Sequence, residues 1–296
     1  MTAGPYLERL AARSMTIGSV LCLGLDPDPE ALPKGFSPDL AGVEAFSRLV
    51  LEAAVPYASA VKPNLAFFEA FGSDGLAVLE RLRAALPGDV PVIADAKRGD
   101  IGSTAARQAV ALFDRLGADA VTANPYLGVE AIAPLLDRTD RFAYVLCRTS
   151  NPGAGELQDL VVAADLGRGW PAEPLWARVA RRATGWGPGG TVGLVVGATA
   201  SAEIGAIRDI APGLAFLVPG VGAQGGAIEP VLADGRARLA PAGPGRGGGL
   251  LVNISRGIAG AATPPGNGAD RSAPRDPGEL IAAAAREWAS RLPVLS

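Results

Sequence analysis

Val92–Thr104 reads VIADAKRGDIGST. It opens as a buried strand: Val92, Ile93 and Ala94 are apolar, and Val90 and Pro91 lead in. It then sets Asp95, Lys97 and Asp100 in quick succession, where a core strand avoids charge. Side chains on a strand alternate faces, so Asp95 and Lys97 share one face, about 7 Å apart at the backbone. Such charges are rarely buried unless paired. By itself the stretch reads either as a solvated ion pair at a strand end or as a site.

Seven more apolar stretches flank it. SVLCLGLD ends at Asp26 and ASAVKPN at Lys62 and Asn64; after it come DAVTANPY, RFAYVLCRTS, TVGLVVGA, LAFLVPG and GLLVNIS. Nearly every stretch is followed by a segment of helical period. Residues 75–86 put Leu76, Leu79, Leu82 and Leu86 on a buried stripe. Residues 103–116 turn Ala106, Ala109, Val110, Phe113 and Leu116 inward, with Gly117 as the stop. Eight strand–helix repeats predict an α/β chain with a parallel sheet closed into a (β/α)8 barrel, the TIM barrel. No GxGxxG follows the first strand, which weighs against an open dinucleotide-binding sheet. Residues 1–296 are expected to form a single domain, with surface insertions near 157–190, 241–249 and 261–277.

Composition narrows the chemistry. The net charge of -3 argues against nucleic acid or an anionic membrane as the main partner. No apolar run reaches a membrane span, and charges in the first 15 residues argue against a signal peptide, so a cytoplasmic location is expected. Cys22 and Cys147 fall in predicted buried strands and read as reduced structural thiols. Histidine is absent, which removes Ser-His-Asp and Cys-His catalysis and the usual zinc and iron sites. Of 27 basic residues only Lys34, Lys62 and Lys97 are lysine. Arginine serves as the general surface cation, and two of the lysines stand at strand ends. Lysine can release a proton in a tuned site and arginine effectively cannot.

In a barrel of this kind chemistry sits at the C-terminal ends of the strands. Those ends carry Asp26; Lys62 and Asn64; Asp95, Lys97 and Asp100; Asn124; Thr149, Ser150 and Asn151; and Asn253, Ser255 and Arg256. Polar ends on most strands of one mouth are hard to explain structurally. After the seventh strand comes PGVGAQGG, 219–226, whose glycines let backbone N–H groups close on an anion. Gln224 adds a neutral donor and Arg256, after the eighth strand, a fork-shaped cation. Together they point to a phosphorylated substrate.

The motifs LGLDPDP (23–29), VKPN (61–64), IADAKRGDIGST (93–104), RTSNPGA (148–154), VGAT (196–199), PGVGAQGG (219–226) and NISRGI (253–258) occur in order. Taken together, they resemble the orotidine 5′-phosphate decarboxylases, in particular their longer bacterial (type 2) branch. The resemblance implies cofactor-free conversion of orotidine 5′-phosphate to UMP and carbon dioxide in pyrimidine biosynthesis, by a homodimer of barrels. It implies Lys97 as proton donor to C6, with Lys62, Asp95 and Asp100 completing a charge network. Asp100, Ile101 and Thr104 would reach into the partner subunit's site. Asp26 would bind ribose hydroxyls, Ser150 the pyrimidine, and Gly222, Gln224, Gly225 and Arg256 the phosphate. No metal is expected.

Three other readings of the same residues are open. A magnesium-dependent sugar-phosphate lyase could use Asp26, Asp95 and Asp100, although Lys62 and Lys97 among them disfavour a dication. A Schiff-base aldolase could use Lys97 or Lys62, although lysines held charged make poor nucleophiles. A catalytically dead barrel could bind a nucleotide without turning it over.

Overall fold

The computed structural model describes residues 5–222, 225–243, 247–263 and 276–295. Its main sheet is a ring of eight parallel strands: β1 (Leu21–Leu25), β2 (Ala60–Pro63), β3 (Ile93–Arg98), β4 (Ala120–Ala123), β5 (Phe142–Arg148), β6 (Val192–Val196), β7 (Ala215–Val218) and β8 (Leu250–Ile254). The order around the sheet is 2-1-8-7-6-5-4-3. Parallel bridges Val61–Val92 and Asn64–Asp95 join β2 to β3 and close the ring. All eight predicted strands are present, and the α/β barrel expected from their repetition is the one that forms.

The strands are apolar on both faces because both are covered, as in parallel sheets generally. Outward residues such as Leu23, Val121, Val145 and Phe216 pack under the helices. Inward residues Cys22, Ala60, Ile93, Ala120, Phe142 and Tyr144 fill the lower barrel. The first helix, Tyr6–Ile17, closes the bottom. Tyr6 stacks on Phe142 with ring centroids 4.9 Å apart, and its hydroxyl meets that of Tyr144 at 3.2 Å. Ring pairs of this kind are worth roughly 0.5–1.5 kcal/mol beyond the area they bury.

Two predicted stripes differ from what is observed. After β3 the helix Gly102–Ala109 continues as a π-helix, Val110–Arg115. Each π turn takes an extra residue. The buried set is Ala105, Ala109, Leu112 and Phe113, while Ala106, ahead of the π segment, is exposed. In the helix Gly72–Ala85, Leu76 turns away from the barrel and lines a surface groove beside Thr104. The stretch after β5 contains a small antiparallel hairpin, Val161–Val162 with Glu173–Pro174, and the helix Leu175–Ala183. Glu173 holds it by accepting hydrogen bonds from Arg178 and Arg181.

Candidate active site

The site follows from the inward register. Stepping by two from the apolar inward residues toward the C-terminal strand ends leads from Cys22 to Asp26, from Ala60 to Lys62 and Asn64, from Ile93 to Asp95, and from Ala120 to Thr122. Those residues, with Ser150, Asn253 and Arg256, line a cavity of about 470 Å³ at the mouth of the barrel. Leu146, Val195 and Leu217 supply apolar wall.

Asp95 is the centre of this cavity's charge. Lys62 Nζ donates to its Oδ2 at 2.6 Å, Lys97 Nζ to its Oδ1 at 2.7 Å, and Thr122 Oγ1 to Oδ1 at 2.9 Å. The two lysines differ in setting: the side chain of Lys62 is 5% exposed and that of Lys97 51%. Burial alone would raise the pKa of Asp95, but the two ammonium groups outweigh it and hold the carboxyl well below its ordinary range. Burial would lower Lys62, but Asp95 and then Asp26 outweigh it and raise its pKa. At neutral pH Asp95 is therefore ionised and Lys62 protonated. The two ammonium groups on Asp95 disfavour a dication beside it.

Lys97 does not sit on a regular strand. Ala94 pairs with Val121 and Arg98 with Ala123, so four steps on β3 match two on β4 and the chain bulges between them. Within the bulge Lys97 has φ of 48°, the only positive φ outside glycine among the described residues. A side chain in this region is strained, and bulges beside active sites commonly re-aim one. Simple alternation correctly puts Asp95 and Lys97 together, but the bulge is what brings the ammonium back onto the carboxylate.

The opposite rim carries the glycine-rich loop and Arg256. In the ring, β7 lies across from β3, and the loop after it brings Gly220 and Val221 to the cavity. The loop folds on itself: Gly222 N–H donates to Gly226 O at 3.1 Å and Gly225 N–H to Gly222 O at 2.8 Å. Gly222 has φ of 73°, and a Cβ there would lie 3.0 Å from the Trp288 ring. The Trp288 indole N–H donates to Gly257 O at 3.2 Å. The helix Pro277–Arg291 thus braces both the loop and the turn that carries Arg256. Between the two rims, Gln158 clamps the turn bearing Ser150: it accepts from Thr149 N at 2.9 Å and donates to Thr149 Oγ1 at 2.8 Å. A Cβ on Gly197 would lie 2.7 Å from Ser150 N, so glycine allows that approach.

The family model for the orotidine 5′-phosphate decarboxylase / HUMPS family matches residues 19–270. The chain is 45% identical over 255 residues to orotidine 5′-phosphate decarboxylase of Thermomicrobium roseum, covering 86% of each. With that of Halorubrum lacusprofundi it shares 47% over 254 residues, covering 86% of this chain and 87% of the relative. The chain belongs to the orotidine 5′-phosphate decarboxylase family. Among solved structures, OMP decarboxylase of Leishmania donovani superposes with a TM-score of 0.77 at 36% identity, covering 97% of this chain and 96% of that one. With such relatives over most of its length, the chain is a decarboxylase.

Of the residues the family resemblance singles out, Asp26, Lys62, Asp95, Lys97, Ser150 and Arg256 converge on the cavity. Asp100, Ile101 and Thr104 do not line it. Asp100 accepts from Ile101 N at 2.7 Å, Ile101 is 66% exposed, and Thr104 lines the neighbouring groove. Gly222 and Gly225 lie in the loop as expected, whereas Gln224 is outside the described residues. Asn124 also stays out of the cavity and accepts from Tyr126 N at 3.0 Å. Reading from sequence missed Thr122 and Gln158. Counting the inward register Ala120, Thr122, Asn124 would have found Thr122.

Proposed function

We propose that this chain converts orotidine 5′-phosphate to UMP and carbon dioxide without a cofactor, with Lys97 delivering the proton to C6. The observation that carries the reading is the Lys62–Asp95–Lys97 chain, with one ammonium buried and the other facing the cavity. In the reaction the bond from C6 to the carboxylate breaks, carbon dioxide leaves, and the electron pair stays on C6. An ammonium fixed at that carbon stabilises the developing charge and then supplies the proton; water restores it afterwards. Asp95, held ionised, keeps Lys97 placed, and Lys62 balances the second carboxylate oxygen. Arg256 and the Gly222–Gly225 loop, with Gln224, hold the phosphate at the far rim, so its binding energy positions the reacting end. Asp26 meets the ribose and Ser150 the pyrimidine.

The working unit in this reading is a homodimer, with Asp100, Ile101 and Thr104 contributed to the partner's site. In support, these residues stand off their own cavity, Ile101 is exposed, and Leu76 and Thr104 share a groove of about 460 Å³ next to it. The whole chain is one domain, with 157–190 as a surface insertion; the other two expected insertions, 241–249 and 261–277, lie partly outside the described residues. It works in the cytoplasm: both cysteines are free and buried, and no helix among the described residues is long and apolar enough to cross a membrane.

One experiment covers the reaction and the shared site. Loss of orotidine 5′-phosphate absorbance is followed with EDTA present and nothing added, for the parent, Lys97→Ala, Asp100→Asn and an equal mixture of exchanged subunits. The parent should turn over and each variant should be nearly inactive. A mixed dimer holds one intact site of two and forms half the time, so the mixture should regain about a quarter of parent activity. A parent that needs a metal sinks the cofactor-free reading. Mixed dimers that form but stay inactive sink the shared site.

A further inference from the structure

The Thr122 hydroxyl meets three groups of the strained turn carrying Lys97. Thr122 stands on β4, 2% exposed, facing inward at the base of the cavity. Its Oγ1 accepts from the backbone N–H of Ala96 at 3.0 Å and of Lys97 at 2.9 Å. It donates to Asp95 Oδ1 at 2.9 Å. A hydroxyl has one donor and two acceptor positions, so all three are used. The two N–H groups it accepts belong to the β3 bulge, where the regular ladder to β4 is interrupted between Ala94 and Arg98. Their usual carbonyl partners are missing there, and the hydroxyl takes that place. The same hydroxyl orders the Asp95 oxygen that Lys97 Nζ meets at 2.7 Å. Thr122 Oγ1 thus meets the backbone of Lys97 directly and its tip through Asp95.

We propose that Thr122 is a positioning residue for the reaction: its hydroxyl holds the left-handed backbone of Lys97 and the rotamer of Asp95, and so sets where the ammonium points. All three of its hydrogen-bond positions are taken within the chain, so it acts through Lys97 and Asp95. The inference rests on the reading of Lys97 as proton donor. An isosteric Thr122→Val keeps the volume and removes all three bonds, freeing the bulge to relax. A displacement of about 1 Å at a reacting group can cost on the order of 100-fold in rate. Substrate affinity resides chiefly at the phosphate rim, so it should move little.

The test measures kcat and KM for the parent, Thr122→Val, Thr122→Ser and Lys97→Ala, with UMP affinity for each. Thr122→Val should lose about 10- to 100-fold in kcat with KM and UMP affinity within about threefold. Thr122→Ser, which keeps the hydroxyl, should recover kcat to within about fivefold of the parent. Retained kcat in Thr122→Val beside an inactive Lys97→Ala overturns the inference and leaves the donor assignment standing. Parent-like kcat in Lys97→Ala overturns the donor assignment itself. An equal loss in the serine and valine variants, or a rise in KM alone, also overturns the positioning role. Should Thr122→Val not fold, hydrogen exchange in the parent decides. The Lys97 amide, although on an exposed residue, should be protected like a strand amide, and free exchange there contradicts the proposal.

Discussion

The floor and the mouth of the barrel interior are made by the same strands in the same register, and they solve opposite problems. On the floor, Tyr6, Phe142 and Tyr144 fill the space, and the two phenol hydroxyls satisfy each other. Burial pushes the Cys22 thiol up to about 12, so it stays neutral there. At the mouth, two or four residues further along the strands, Lys97 sits on strained backbone and Asn253 Oδ1 is buried with no hydrogen-bond partner among the described residues. Asp95 keeps its charge between two cations. The floor is complete without a ligand. The mouth keeps charge, strain and an unfilled acceptor, each of which costs stability. Features of that kind are usually kept at functional sites.

Substitutions should separate the two levels. Apart from loss of Lys97 itself, the largest effect is expected for Asp95→Asn. It weakens the counter-charge of Lys62, and breaking such a buried pair costs about 3–5 kcal/mol when the remaining charge is uncompensated. Urea unfolding should show a loss near the lower end of that range, since the amide still accepts a hydrogen bond, and kcat should fall at least about 1000-fold. Lost stability with kcat intact would make Asp95 part of the floor's scaffold. Arg256→Ala comes next. One forked charge–phosphate contact is worth about 2 kcal/mol, so KM and the UMP dissociation constant should both rise roughly 30-fold. The melting temperature should hardly change, because Arg256 is exposed. Unchanged KM would move the anion site away from this rim. The smallest effect belongs to the floor: Tyr6→Phe removes one hydroxyl of a buried pair and should cost about 1 kcal/mol of unfolding free energy while kcat stays at the parent value. A change in kcat would mean that floor and mouth are coupled.

The same contrast explains what could be read from sequence. The strand count and the closed sheet were legible because eight apolar stretches with following helices leave few other architectures. Asp95 and the two lysines were legible because charge in an apolar strand contradicts its surroundings. Thr122 was not, since threonine is an ordinary strand residue and carries no such contradiction. The bulge at Lys97 was invisible because alternation assumes a regular ladder. Ala106 was assigned inward because its spacing to Ala109 and Phe113 fits a helical stripe, but the same period is met by Ala105, which takes the inward place. Gln158 comes from a stretch that reads as an insertion, where nothing in the spacing links it to Ser150.

The central claim is that the exposed ammonium of the pair, Lys97, does the chemistry, while the far rim does the binding. Steady-state turnover and UMP binding of Lys97→Ala test it most directly. The claim predicts a kcat at least about 10,000-fold below the parent, which is more than 5 kcal/mol of barrier, with UMP affinity within about threefold. A variant that keeps more than about a tenth of the parent kcat, under about 1.4 kcal/mol of barrier, contradicts it.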